Sequence, residues 1–467
     1  MTRRYRLKLP LLSTLSALFL LACSNTSQID KGIKDIPLPT NWQVNQQATK
    51  VDNNWLSQFN DRQLHQLVEK ALTSNHQLAI QAYNLKIAEQ QVIFSGSALW
   101  PALDLALRSD RTKNSQTDTY SNTNSIGLNL SYEVDFLGKL NDSQRISHYS
   151  YLAKKNEYEH FQQQLVANVV TAWFQVIEAQ KLLALYEDRV KTSQHNLAMI
   201  ESSYNAGLTE ALDVYLARNE LNSELSLVAA QKTSTAKAIR ALEHLIGSYP
   251  KGGLVVNSHL PLLNNDIPVG LPSTLIRRKP TLKASWYQLL SQDAALAYAH
   301  KQRFPSITLS GSLSDTNTDI SDLLSSSSLA WSLLGSVTAP IFNAGRLKAN
   351  EEKTRLTLKQ GEKIYLDALY LAFAEVENAI TTEKNLKLSY TAMLAAQENA
   401  TVAADLSFEQ YQSGLVSYTT VLDAKKRAVD AQSSLIKIKL QLLSNRVNLH
   451  LALGGSFSTP SIENKAK

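Results

Sequence analysis

Few residues in this sequence are placed to do covalent chemistry. There is one cysteine, Cys23, and the nine histidines are dispersed, with no HExxH pair and no second thiol to complete a metal site. No GxSxG elbow, Walker A loop or GxGxxG turn occurs. No catalytic residue and no metal ligand is therefore assigned, and an enzyme is not expected. The remaining candidates are electrostatic. Asp213 in ALDV follows the turn YNAG, and Asp423 in TVLDA follows the related turn YQSG. Other carboxylates are common on helical stretches, where they are expected to be solvated or in weak ion pairs of ~0.2–0.5 kcal/mol.

Cys23 has its own setting. Arg3, Arg4, Arg6 and Lys8 precede an apolar run from Leu11 to Ala22, which is too short to cross a bilayer as a helix. The sequence Leu20-Leu21-Ala22-Cys23 resembles the lipobox of bacterial lipoproteins. Cleavage would leave Cys23 as the acylated N-terminus, with diacylglycerol and an N-acyl chain as the only attached group. A plain signal peptide with a chance cysteine is the alternative. Ser24, rather than Asp, follows, which in such lipoproteins resembles an outer-membrane address. A single cysteine excludes an intramolecular disulfide. Loss of the leader lowers the formal net charge from +6 to +2 (6 − 4). No Lys/Arg block with interleaved aromatics remains, so no nucleic-acid partner is expected.

Elements that would position the turns are written twice. Gly138, Gly207 and Gly247 are matched by Gly345, Gly414 and Gly454, with spacings of 69 then 40 residues in both sets. This is an internal duplication offset by 207 residues, with Gly361 as an extra glycine. Trp100-Pro101 corresponds to Phe304-Pro305 at an offset of 204. Between these marks the pattern is helical. Leu165, Val169, Ala172, Val176, Ala179, Leu183, Tyr186 and Val190 form a heptad seam, repeated as Tyr365, Leu369, Ala372, Val376 and Ile380. Val166, Val170, Trp173 and Ile177 lie off the seam, so each helix should touch more than one neighbour. A helix from about Lys139 to Tyr204 is roughly 100 Å long at ~1.5 Å per residue. Gly207 and Gly414 read as left-handed C-cap residues that turn the long helices back.

Away from those turns the period changes to two. Leu103, Leu105 and Leu107, then Ile126, Leu128, Leu130, Tyr132 and Val134, alternate with small or polar residues. Ile307 and Leu309, then Leu329, Trp331, Leu333, Gly335 and Val337, repeat the pattern. Leu128, Leu130, Tyr132, Val134, Leu329, Trp331 and Leu333 are the expected lipid-facing residues of membrane strands. Two half-buried hairpins in a soluble domain are the alternative. The polar stretches Ser109–Asn124 and Ser314–Ser328 read as extracellular loops. Four strands cannot cross a bilayer alone, because open edges leave N–H and C=O groups in lipid at a cost of several kcal/mol each, so other chains must complete the barrel.

The organisation expected is a signal peptide at 1–22, a lipid-anchored segment at 23–50, a first repeat at 51–249, an equatorial linker at 250–280, a second repeat at 281–455 and a tail at 456–467. The first hairpin falls at about 102–135 and the second at about 306–339. The fold class is mainly α with membrane β.

With SYEVDFLGK, APIFNAGRL, the paired YxxG turns, TVLDA and NLHLALGG in this order, nearly the whole mature chain resembles the outer-membrane factor family. These are the TolC-like exit ducts of tripartite pumps, and the resemblance is closest to the lipoprotein branch of drug-efflux systems. It implies a homotrimer with a twelve-stranded β-barrel continued by an α-helical tunnel in the periplasm of a Gram-negative cell. It implies passive conduction of drugs or other small molecules, with a periplasmic adaptor, an inner-membrane transporter of RND type and outer-membrane lipid as partners. It places Tyr204, Asn205, Ala206, Gly207, Leu208 and Thr209 at the adaptor-contacting tip, with Tyr411, Gln412, Ser413, Gly414, Leu415 and Val416. Asp423, Thr420 and Asp213 match gate positions, where family members keep a ring of acids that would attract cations and narrow the pore. Thr420 stands where a second Asp often occurs, and LIRRKPTLKASW departs from the usual Arg-Arg-Pro-Asp run. Solvated surface carboxylates remain the alternative for Asp213 and Asp423. The dispersed methionines speak against copper or silver as cargo. An exit duct for type I protein or peptide secretion, or a periplasmic coiled-coil scaffold lipoprotein without a pore, are the other readings.

Overall fold

The computed structural model describes residues 28–29, 39, 41–43, 55–256, 259–263, 269–270, 272–324 and 329–455. Cys23 and its leader lie outside them. In chain order the elements are α1 (Arg62–Ser74), α2 (His76–Ser97), β1 (Ala102–Asn114), β2 (Thr119–Val134), α3 (Lys139–Asn205), α4 (Ala211–Leu245), α5 (Pro272–Arg278), α6 (Pro280–Lys301), β3 (Ser306–Asn317), β4 (Leu329–Thr338), α7 (Arg346–Gln412) and α8 (Tyr418–Ala452). A 3-10 turn, Trp55–Phe59, precedes α1.

The duplication is visible in the element bounds. α3 and α7 each have 67 residues and α4 and α8 each have 35. Their first and last residues are related by the 207-residue offset found between the glycines. α2 and α6 have 22 residues each and keep the smaller offset of 204. α5 is an extra short helix inside the stretch read as a linker.

The chain divides into two compact units. The first takes Met1–Ile36, Asn84–Lys155 and Ala284–Asp367, and the second takes Pro37–Tyr83, Asn156–Lys283 and Ala368–Lys467. In the first unit the four strands form one antiparallel sheet in the order β1-β2-β3-β4. Leu103 faces Leu130, Leu105 faces Leu128 and Leu107 faces Ile126. Tyr132 faces Leu309 and Val134 faces Ile307, and on the far side Leu313 faces Trp331 and Ile307 faces Val337. The alternating residues of all four strands thus share one apolar face, and Asp104, Asn129, Ser131, Glu133, Ser310 and Ser312 share the other. A helical core lies beside them in this unit, where Leu289, Leu296, Leu358 and Tyr365 bury one another and also bury Ile29. Gly361, the glycine without a repeat partner, leaves room there, since a Cβ would meet the Gln292 amide oxygen at 1.7 Å.

The polar stretch 109–124, expected as a loop, is mostly strand. The ladder runs on from Arg108↔Ser125 to Asn114↔Thr119, leaving a four-residue turn, 115–118. β3 likewise continues to Asn317 inside the second stretch. Backbone pairing does not need an apolar face, so strands outlast the hydrophobic alternation that signalled them.

The second unit holds the larger core. Trp173 and Phe174 from α3 pack with Trp55, Phe59, Leu64, Val166, Val169, Val170 and Ile177, and with Leu242, Ile246, Leu443 and Val447. Each such side chain contributes roughly 1.5–3 kcal/mol by leaving water. Both the seam and the off-seam row of α3 are buried here. In α7 the seam is buried together with Leu358 and Ala379, while Ile364, Tyr370 and Leu371 stay exposed. No helix of the described residues is long and apolar enough to cross a membrane.

Candidate functional site

The two turns share one backbone solution. Asn205 is the last helical residue of α3, Gly207 has φ +73°, and Leu208 N–H donates to Ser203 O at 2.9 Å while Gly207 N–H donates to Tyr204 O at 2.9 Å. Gly414 has φ +71°, with Leu415 N–H on Gln410 O and Gly414 N–H on Tyr411 O, both at 2.9 Å. This is the Schellman arrangement, in which a left-handed residue lets two amides satisfy the last carbonyls. Leu208 and Leu415 at the apices are exposed, as are Asn205, Ala206, Gln412 and Ser413, while Val416 is half-buried. Ser413 Oγ donates back to Glu409 O at 3.0 Å.

Side chains tie the turns to each other. Tyr411 Oη donates to Asp213 Oδ2 at 2.8 Å, Thr209 Oγ1 donates to the same oxygen at 2.7 Å, and the two hydroxyls are 3.0 Å apart. One carboxylate from the first repeat thus holds one tyrosine from the second. The repeat-related pair, Tyr204 and Thr420, does not do this. Tyr204 is exposed, and Thr420 hydroxyl lies 3.2 Å from Ser417 Oγ instead. Behind the contact, Tyr418 and Val421 bury themselves against Ile200, Val214 and Ala217. The Tyr411 and Tyr418 rings are 5.2 Å apart. Burial first, then the nearby Glu220 carboxylate, pushes the Tyr418 hydroxyl up to about 12, so it stays protonated.

Deeper in the second unit lies a charge cluster made by four helices. Arg189 of α3 reaches Glu220 of α4 at 3.1 Å and also pairs with Glu224. Glu224 is 4% exposed. Burial raises its carboxyl to about 7, with Arg189 opposing the rise and Glu220 adding to it. Lys425 of α8 sits 4.7 Å above the Phe408 ring of α7. Burial lowers its ammonium to about 8, against the pull of Glu220 and Asp405 and with the push of Arg189. Glu224, Glu243, Glu351, Glu362 and Glu383 are all buried rather than solvated; Glu224, Glu351 and Glu383 are in ion pairs, the other half of that expectation.

Asp423 stands apart from Asp213. Its Oδ2 accepts from Arg427 Nε at 2.9 Å one turn along α8, and both side chains are largely exposed. The structure therefore joins Thr209, Asp213 and Tyr411, and leaves Asp423 and Thr420 outside that group. Sequence reasoning passed over Tyr418, Arg189, Glu224, Lys425 and Arg427. Among the described residues no group of His, Cys, Asp and Glu is placed to hold a metal ion.

In the first unit, Leu128, Leu130, Leu329, Trp331 and Leu333 are exposed on the apolar sheet face, with Trp331 at 77%. Tyr132 and Val134 are half-buried. A row of large apolar side chains this exposed needs a covering medium.

The model of the outer membrane efflux protein family matches residues 67–248 and 271–455. The chain belongs to this family. It is similar to SrpC of Pseudomonas putida, a solvent efflux pump outer membrane protein, with 30% identity over 409 residues that cover 86% of this chain and 87% of that one. It is 27% identical over 472 residues to SilC of Salmonella typhimurium, a probable outer membrane lipoprotein, covering 96% and 99% of the two chains. A crystal structure of CusC, described in terms of folding and transmembrane channel formation, superposes with a TM-score of 0.82 at 26% identity, over 92% of this chain and 100% of that one. The protein is thus an outer membrane efflux channel of the TolC-like fold, and it extends into the periplasm. It is the outer membrane component of a tripartite efflux pump, and it conducts rather than catalyses. For this channel the long helix pairs and the four-stranded sheet built from two repeated hairpins are the family fold.

Proposed function

We propose that three copies of the chain close a twelve-stranded barrel in the outer membrane and that the turns after α3 and α7 form its periplasmic entrance. The open sheet carries this reading. Among the described residues β1 and β4 each have one partner, so each leaves a free edge. In hydrocarbon such an edge costs several kcal/mol per unpaired group, and closure by further chains removes it. The apolar sheet face then meets lipid, and the polar face lines the duct. The uncovered flank of α7, with Ile364, Tyr370 and Leu371, is apolar surface of the kind a neighbouring chain would bury.

At the entrance, the hydrogen bond from Tyr411 to Asp213 holds the two helical turns together, and the exposed Leu208 and Leu415 offer the apices to a periplasmic adaptor. Asp423 supplies the ring of acids at the constriction, with Arg427 as its counter-charge. An inner-membrane transporter of RND type loads the duct with small apolar or amphipathic molecules. Similarity to a solvent efflux protein supports that cargo class.

Cys23 is the proposed lipid attachment site, as the similarity to a probable lipoprotein supports. A few residues further on, Gln28 N–H donates to Asp293 Oδ1 at 2.7 Å and Ile29 is buried, so a tether there leads directly into packed structure. Cys23→Ser should leave trimers intact and shift a measurable share of them out of the membrane fraction; unchanged fractionation would remove the lipid from the account. Deletion of the gene should raise susceptibility to organic solvents, dyes and detergents, restored by the wild-type chain. Unaltered susceptibility together with loss of an exported polypeptide would reassign the duct to protein secretion.

A further inference from the structure

The outer end of the apolar sheet face is not apolar, and a loop covers it. Beyond Leu107, Ile126 and Leu313, the same face continues with Ser109, Asn124, Asp315 and Asn317, as the registers Ser109↔Asn124, Ile126↔Asp315 and Asn124↔Asn317 require. An aspartate there would be expected to reach water. Asp315 is instead 1% exposed, and Asn124 is buried as well. A buried carboxylate is tolerated only where donors replace its hydration.

One donor to Asp315 comes from the loop 318–324 and another from Asn317 at the end of β3, while loop carbonyls accept from Asn124 and Asn317. Leu324 N–H donates to Asp315 Oδ2 at 2.5 Å. Asn317 Nδ2 donates to Asp322 O at 2.9 Å and to Asp315 Oδ1 at 3.3 Å. Asn124 Nδ2 donates to Thr318 O at 2.8 Å, while Ser109 Oγ donates to Asn124 Oδ1 at 2.6 Å. These bonds begin on side chains that point out of the apolar face, so the loop after β3 folds down over that face and not over the polar one. Leu324 holds φ +70°, a left-handed conformation unusual for leucine, and this turn brings its amide to Asp315. The loop exposes two large apolar side chains, Ile320 at 67% and Leu324 at 73%, interspersed with exposed Asp319, Ser321 and Asp322.

We infer that the loop 318–324 is an outer-leaflet lipid contact, turned outward from the barrel, and not a lid over the duct mouth. Ile320 and Leu324 extend the apolar band of Leu313, Leu329 and Trp331 past the point where the strands themselves become polar. The Asp315–Asn124–Asn317 network is the hinge pin that keeps them there. This rests on the reading of the apolar sheet face as lipid-facing, and it fixes which way one extracellular segment leaves that face.

A fluorescent label on single cysteines at Ile320, Leu324 and, as reference, Leu313 tests both levels in purified protein reconstituted in phospholipid vesicles. Quenching is compared between a headgroup-level lipid-borne nitroxide and aqueous iodide. Lipid quenching at 320 and 324 exceeding iodide quenching at least twofold, with the same ordering at 313, supports the inference. Lipid quenching at 313 together with iodide quenching at 320 and 324 overturns the outward loop alone. Iodide quenching at 313 overturns the lipid-facing sheet and the inference with it. Asp315→Asn and Asp315→Ala should release the label at 324 to iodide while single-channel conductance stays within a factor of two. A severalfold rise in conductance in either variant would identify the loop as a lid and contradict the inference.

Discussion

At the scale of single residues, the two turns are asymmetric although the chain is duplicated. Asp213 has Thr420 as its repeat partner, so the hydrogen bond from Tyr411 to Asp213 has no counterpart in the pair Tyr204 and Thr420. A bond to a carboxylate of this kind is worth ~1.5–3 kcal/mol. Tyr411→Phe should raise open probability in planar bilayers by about tenfold and leave the fold unchanged. An open probability equal to that of the wild type would separate this bond from gating. The turns were legible because glycine alone takes φ near +70° at little cost. The tyrosine–aspartate contact was not, since it joins residues 198 apart and only the fold brings them together. Glu243 gives a second residue-scale expectation. Burial would raise its carboxyl, but amides of Gly252, Gly253 and Leu254, at 2.6, 2.9 and 3.1 Å, outweigh that and hold it below its ordinary value of 4.5. A carboxyl depressed in the folded state stabilises above its unfolded value, and the contribution is lost as pH falls through the folded one. Thermal stability should therefore drop below about pH 4 less steeply in Glu243→Gln than in the wild type. Parallel acid profiles would contradict this.

At the scale of elements, pattern reading succeeded where one physical demand dominates. Leu165, Val169, Ala172 and Val176 are all buried because a heptad seam faces a nearly parallel neighbour. Strand length was underestimated, since polar residues such as Arg111 and Asn122 pair as well as leucines do. The Arg189–Glu220–Glu224 cluster escaped notice because it breaks the repeat. The positions related to Arg189 and Glu224 are Ala396 and Ala431. Its behaviour with pH follows from sign. Glu224 is raised in the packed state, so its stabilising contribution is complete below its ordinary 4.5 and is lost as pH rises through about 7. Lys425 is lowered, so its contribution is present above its ordinary 10.5 and is lost as pH falls through about 8. From about pH 7.5 down to 6 the Glu224 change dominates. Backbone amides of α3 and α4 near Arg189 and Glu224 should exchange more slowly at pH 6 than at pH 7.5, after correction for intrinsic rates. In Glu224→Gln the protection should be high and equal at both values. A wild-type pH dependence that persists in Glu224→Gln would place the titrating group elsewhere.

At the scale of the whole molecule, the duplicated plan was readable from glycine spacing and the need for other chains from the two-residue period, while the family came from the resemblance carried by SYEVDFLGK, APIFNAGRL and the paired turns. The way the loop 318–324 folds was not, because Asp315 gives no sign in sequence that it is buried. The central claim is that one chain supplies an unclosed part of a barrel, with a lipid-facing side and two free strand edges. Native mass spectrometry of detergent-extracted protein, followed by conductance of the same sample in planar bilayers, tests this most directly. The account predicts a species of three chains that forms ion-conducting channels. A stable single-chain species, soluble without detergent and silent in bilayers, would contradict it.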